Sequence, residues 1–180
     1  ARAAVANHGG VEGAAGSAAA RRQMWVRSGE PGRSRLANGG LSGLGAITRP
    51  CAFVTAPSAV LIGFVAGGLV SVAVPFIEQK IKLDDPVGAI SVHGVNGVWG
   101  LLAVGLFADG TYGGGFNGIN GNVAGLFYGD ASQLAAQSIG IIAHILWVGS
   151  ASSVAWKITG PIGSGPRVSA GRTYEHPLLG

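Results

Sequence analysis

Charged side chains are scarce in this sequence: Asp, Glu, Lys and Arg make up 11% of 180 residues, against roughly 25% in an average soluble domain. Chains stay disordered throughout when hydrophobicity is low and net charge is high, and 48% hydrophobic residues exclude that state here. There is one cysteine, which excludes an intrachain disulfide framework and any multi-cysteine zinc or iron–sulfur site. The 33 glycines keep no three-residue period, so a collagen helix is excluded too. No Ser lies in a Gly-x-Ser-x-Gly elbow, and nothing else marks a catalytic nucleophile, so the chain does not read as an enzyme.

The few charges are unevenly placed. Residues 1–35 hold eight of them and residues 157–180 hold four, which leaves eight for the 121 residues between. Residues 56–77, 86–108 and 131–156 contain no Asp, Glu, Lys or Arg. About 20 apolar residues cross a roughly 30 Å hydrocarbon core, and each stretch is long enough. A fourth apolar run, 36–54, is broken by Arg49-Pro50. It predicts a shorter span whose last turn ends before Pro50, because proline cannot continue the hydrogen-bond ladder. The expected fold is an all-α, multi-pass membrane bundle over residues 36–156, flanked by two segments without apolar periodicity. Residues 1–35, an Ala/Gly/Arg mixture that is not a signal peptide, read as a disordered or mis-framed arm. Residues 157–180 read as a tail.

Alternating helices put residues 1–35, 78–85 and 157–180 on one side of the membrane, with 11 of the 12 basic residues. The positive-inside rule predicts that side to be cytoplasmic, and a plasma or inner membrane is the expected location. Topology accounts for the net charge of +4. Nucleic-acid binding would need basic residues gathered on one face with aromatic partners, and that pattern is missing.

Small residues let helices approach closely in lipid. Gly63 and Gly67 form such a pair, and Gly94, Gly97, Gly100 and Gly105 follow in the second charge-free stretch. Asp84-Asp85-Pro86 starts that helix, with Asp85 suited to the N-cap and Pro86 to the first helical position. His93, eight residues on, then lies about 12 Å into the helix. At 100° per residue, Pro86, Ala89, Asn96, Gly97, Gly100 and Val104 share its face. An ionisable residue at membrane depth is a functional-site hypothesis by default, and a structural histidine bonded to a neighbouring helix stays open beside it. His144 lies among apolar neighbours and reads as packed or interfacial. Cys51 reads as a small packing residue. No intramembrane carboxylate or second cysteine supports a metal site of His93 with His144.

The run from Asp84 to Gly100, Asp-Asp-Pro-Val-Gly-Ala-Ile-Ser-Val-His-Gly-Val-Asn-Gly-Val-Trp-Gly, closely resembles the ammonium transporter (Amt/Mep/Rhesus) family. So does Asn38-Gly39-Gly40-Leu41-Ser42-Gly43-Leu44-Gly45-Ala46-Ile47-Thr48, similar to the family's eighth helix. Leu101–Ala108 and Gly125–Gln137 continue the likeness, which covers about residues 36–158. The resemblance implies an eleven-helix fold of two inverted halves, assembled as a homotrimer with a narrow hydrophobic pore in each subunit. It implies that His93 is one of two pore histidines that hydrogen-bond ammonium or ammonia and relay its proton. Leu41 and Ala89 would line the same pore, and Asp85 would be a structural helix cap. No cofactor is implied. The partners implied are the permeant, the bilayer and, for some members, a PII-type nitrogen-regulatory protein. The expected function is therefore ammonium transport, with a non-transporting sensor or scaffold as the alternative. The partner histidine, phenylalanine gate and outer recruitment site have no counterpart here, so the chain reads as a C-terminal fragment of that fold.

Overall fold

The structure, a computed structural model, describes residues 2–29, 33–83, 85, 87–111 and 120–159. Among them it is helical, with one isolated β-bridge between Asp109 and Ala124. Helix α1 runs Arg2–Ser28 and α2 Arg33–Ile47. Helix α3 runs Ala56–Phe76 and continues into a π-turn, Ile77–Ile81. Helix α4 opens with a π-turn, Ile90–Val95, and proceeds as α-helix over Asn96–Phe107. Helix α5 runs Ala131–Thr159. The segments Ala56–Ile81, Ile90–Phe107 and Ala131–Thr159 are long and apolar enough to cross a membrane; they overlap the three charge-free stretches, the first running on past Glu78 and Lys80 and the second beginning four residues later than expected. As expected of the broken fourth run, α2 stops at Ile47 and a short 3₁₀ turn, Pro50–Ala52, follows.

The arm expected at residues 1–35 is the main correction. Residues 2–28 form α1, which packs between α2 and α3. Its apolar periodicity is weak because glycine and alanine make its contacts by letting backbones meet. Gly16 is the crossing point. A Cβ there would run into the Gly39 carbonyl and lie 3.2 Å from the Gly43 Cα. A Cβ on Gly67 would in turn meet the Gly16 backbone. With no net hydrophobic drive between helices in lipid, such backbone approach is what binds them.

These contacts also fix direction. Gly13 meets Leu44 while Ala20 meets Gly39, so α1 and α2 are antiparallel. Glu12 meets Gly63 while Gly16 meets Gly67, so α1 and α3 are parallel. Helix α1 thus begins at the Arg49 end of the bundle, which moves Arg2 away from the basic side to which the sequence assigns it. Between α2, α3 and α4 the core holds Ala46, Ile47, Val54, Ala59, Ile62, Ala66 and Ala103. Trp99 reaches across it, donating from Nε1 to the Ile62 carbonyl at 3.1 Å. Residues 1–142 form one packed unit and residues 143–180 another; in the latter the described part is the C-terminal portion of α5.

Candidate functional site

The start of α4 is built from Asp85. Its carboxylate accepts from the Ile90 N–H at 3.0 Å and from the Ser91 N–H and hydroxyl at 3.2 Å each. The Gly88 N–H closes a turn on the Asp85 carbonyl at 2.9 Å, with Gly88 at φ +71°. Only glycine adopts that conformation without steric cost. Asp85 therefore caps from five and six residues upstream, across a turn, and the helix does not begin at residue 86; Asp84 and Pro86 lie outside the described residues. His93 sits three residues past Ile90, about 4–5 Å by helical rise. The expected depth of 12 Å assumed a helix starting at Asp85.

The π-turn changes the faces as well. His93 and Ala89 are exposed, one turn apart. Asn96, Gly100 and Val104, which an uninterrupted α-helix would align with His93, are buried. A π-turn accommodates an extra residue through i→i+5 bonding, and this rotates the later turns relative to His93. The Asn96 Nδ2 donates to the Ser91 carbonyl at 3.0 Å, tying the two registers together. A Cβ on Gly100 would enter the Ala46 backbone, so the small-residue side of α4 is its seam with α2. The face assigned to His93 from 100° steps is thus divided: Ala89 stays exposed with the histidine, Asn96, Gly100 and Val104 turn inward, and Gly97 borders open space.

Helix α2 meets α4 along a stripe that contains Leu41. Asn38, one turn before it, donates from Nδ2 to the Val87 carbonyl at 3.2 Å. Gly45, one turn after, lies against the Val92 carbonyl. Leu41 is half-exposed at the edge of this seam. Leu41 on α2 and Ala89 and His93 at the start of α4 are each exposed. His144 is exposed on α5, which fits an interfacial residue and not a packed one. Among the described residues no cluster of three His, Cys, Asp or Glu side chains has metal-binding proximity.

Sequence reasoning missed two buried polar residues of α1. His8 is 8% exposed, and its Nδ1 lies 2.9 Å from the Cys51 carbonyl. Glu12 is fully buried, and neither carboxylate oxygen has a hydrogen-bond partner among the described residues. The signal was present: His8 and Glu12 are spaced i, i+4, and Glu12 is the sole charge between Arg2 and Arg21. Burial pushes the thiol of Cys51, at the turn between α2 and α3, up from its ordinary pKa.

Comparison with known proteins places this geometry. The model of the Ammonium Transporter Family matches residues 4–174, well beyond the 36–158 of the motif likeness. Ammonium transporter Amt2 of Archaeoglobus fulgidus is 39% identical over 160 residues, 88% of this chain and 34% of that protein. An ammonium transporter of Bacillus subtilis is 34% identical over 125 residues, 69% of this chain and 29% of its own length. Among solved structures, a Sensor Amt Protein superimposes with a TM-score of 0.76 at 31% identity, covering 89% of this chain and 37% of that one. Saccharomyces cerevisiae Mep2 gives a TM-score of 0.77 at 27% identity, over 89% of this chain and 35% of that one. The chain spans about a third of the length of the relatives it matches.

Proposed function

The chain belongs to the ammonium transporter family, and from that premise we propose that its protein carries ammonium or ammonia across a membrane. His93 is the conduction-path side chain that hydrogen-bonds the permeant and relays its proton, and Leu41 and Ala89 line the same path. Asp85 acts structurally by holding the start of α4. The single observation that carries this reading is the family match across nearly the whole described chain. The physical logic is selection by desolvation. A charged ion pays heavily to enter a dry apolar lumen, whereas neutral ammonia needs only a few hydrogen-bond partners.

The conduction path takes more helices than the five described here, so the reading applies to the protein in its family-length form. That form is a homotrimer in a plasma or inner membrane, with its C-terminus cytoplasmic and available to a PII-type regulator. It needs no cofactor. The alternative of a non-transporting sensor is supported only by the name of one structural relative. Methylammonium uptake in cells lacking their own transporters tests both readings. The family-length protein should support uptake, and His93→Ala should abolish it. Full uptake by the His93→Ala variant would overturn the role of His93, and no uptake by the unsubstituted protein at normal membrane abundance would overturn transport.

A further inference from the structure

The buried pair on α1 plays no part in the conduction reading. Glu12 sits where three helices meet. The backbone of α1 at Glu12 is flanked by Gly43 of α2 and Gly63 of α3, and a Cβ on Gly63 would stand 2.6 Å from the Glu12 carbonyl oxygen and 3.0 Å from its Cβ. Glycine at both positions lets the backbones close around the side chain, leaving it fully buried with both carboxylate oxygens unpartnered among the described residues. An ionised carboxylate without a partner in such a site carries a desolvation penalty of many kcal/mol, and such a group neutralises instead.

Among the described residues the elements packed on Glu12 bring no cation to it, and Arg49, in the turn after α2, is exposed. Helix α3 from Ala56 to Phe76 carries no titratable side chain. The two titratable residues of α2, Arg33 and Arg35, are ten and eight positions before Gly43, about 12–15 Å by helical rise. The titratable neighbours are His8, one turn earlier on α1, and Cys51 in the turn that receives the His8 bond. A carbonyl oxygen only accepts, so the His8 Nδ1 that lies 2.9 Å from the Cys51 carbonyl carries the proton of that bond. With Nδ1 engaged there, Nε2 is the ring nitrogen of His8 through which a proton can be exchanged.

We propose that Glu12 is a proton-binding site: it takes one proton from water, is held as a neutral carboxylic acid between α1, α2 and α3, and exchanges that proton through His8 Nε2. The site is separate from His93. Gly43 packs at Glu12 while Gly45, two residues on, lies against Val92 of α4, so the acid and the π-turn histidine occupy similar levels on two sides of α2. The proposal does not depend on transport, and its test needs none.

Infrared spectroscopy of the purified full chain in lipid or detergent, at about pH 8, where a carboxyl of ordinary pKa is ionised, reads the protonated carboxyl stretch directly. A band present in the unsubstituted chain and missing in Glu12→Gln supports the site. No difference between the two at that pH means an ionised Glu12 and overturns it. Should Glu12→Gln fail to fold, dicyclohexylcarbodiimide, which attacks protonated carboxyls in apolar surroundings, serves on the unsubstituted chain. Modification of the Glu12 peptide and not of the exposed Glu78 supports the proposal, and an unmodified Glu12 overturns it. His8→Gln keeps an amide donor for the Cys51 carbonyl but has no basic nitrogen. It should slow hydrogen–deuterium exchange of the Glu12 band on the order of a hundredfold, the scale of a positioned acid–base group. Exchange at the unsubstituted rate would overturn the part assigned to His8.

Discussion

Asp85 shows how much a single side chain decides. Its two oxygens take three hydrogen bonds from Ile90 and Ser91, and the residue is only 3% exposed. Asp85→Ala leaves buried N–H groups without partners, at about 2–3 kcal/mol of stability. Asp85→Asn keeps one acceptor and should lose about half as much; thermal unfolding followed by circular dichroism ranks the two. At the far end of α3, Lys82 is held at φ +61°, a left-handed conformation that is unfavourable for a residue with a Cβ by roughly 1–2 kcal/mol. Lys82→Gly should therefore raise the unfolding midpoint, by an amount reduced by the greater chain entropy of glycine. At Gly63 the sign reverses: a methyl group meets backbone atoms of Glu12 that cannot rotate away. Gly63→Ala should cost about 1–3 kcal/mol by overpacking. The sequence pointed to Asp85 at the start of this helix, but its hydrogen bonds reach across a turn to Ile90 and Ser91, which the local pattern of Asp-Asp-Pro does not foretell. Burial of Glu12 was not legible, because it depends on Gly43 and Gly63, which reach it only through tertiary packing.

Elements with long charge-free runs were readable from composition alone, and α3, α4 and α5 fall where lipid solubility requires. Helix α1 was hidden because its contacts are made by Gly13, Gly16 and Ala20, whose side chains carry almost no periodic hydrophobic signal. The π-turn in α4 was equally hidden, since hydrophobic patterns assume one constant angular step. It offers a test at this scale. Deleting Gly94 shortens the turn by one residue and rotates Ala89 and Asp85 by about 100° relative to Trp99. The Asn96 bond to Ser91 cannot then form as it does at 3.0 Å. Uptake by the family-length protein should be lost while His93 itself remains, and uptake unchanged by the deletion would show that the register of this turn is irrelevant. Helix α5 has its own cap: the Asp130 carboxylate accepts from the Ser132 N–H at 2.8 Å. Hydrogen bonds from Ser132, side chain first and then backbone, hold it below the usual carboxylate range. A depressed native pKa means its contribution is present above the ordinary aspartate pKa and fades as pH falls through the lower native value. Asp130→Asn should therefore reduce stability at neutral pH and flatten the acid limb of the pH–stability profile.

At the scale of the molecule, the antiparallel and parallel contacts of α1 to α4 and the distribution of charge lead to one topology by separate routes. Packing places His8 beside the turn at Cys51, so the start of α1 and the α2–α3 turn share one end of the bundle. The contact of Gly88 with Asn38 and Val74 places the α3–α4 connection at the other end. That connection carries Lys80 and Lys82, whereas the Cys51 end has Arg49 and, through the reversal of α1, Arg2. The basic excess survives the reassignment of Arg2, because Arg33 and Arg35 at the start of α2 stay with the lysines. The positive-inside rule then predicts a cytoplasmic Lys80 end. With Cys51 replaced by Ala, single cysteines at Gln79 and at Thr111 should react with a membrane-impermeant maleimide from opposite faces. Gln79→Cys should label only after the membrane is opened, and Thr111→Cys should label in intact cells. Both residues are exposed, so a failure to label cannot come from burial within the bundle. Labelling of both from one face would mean that α4 does not cross the membrane.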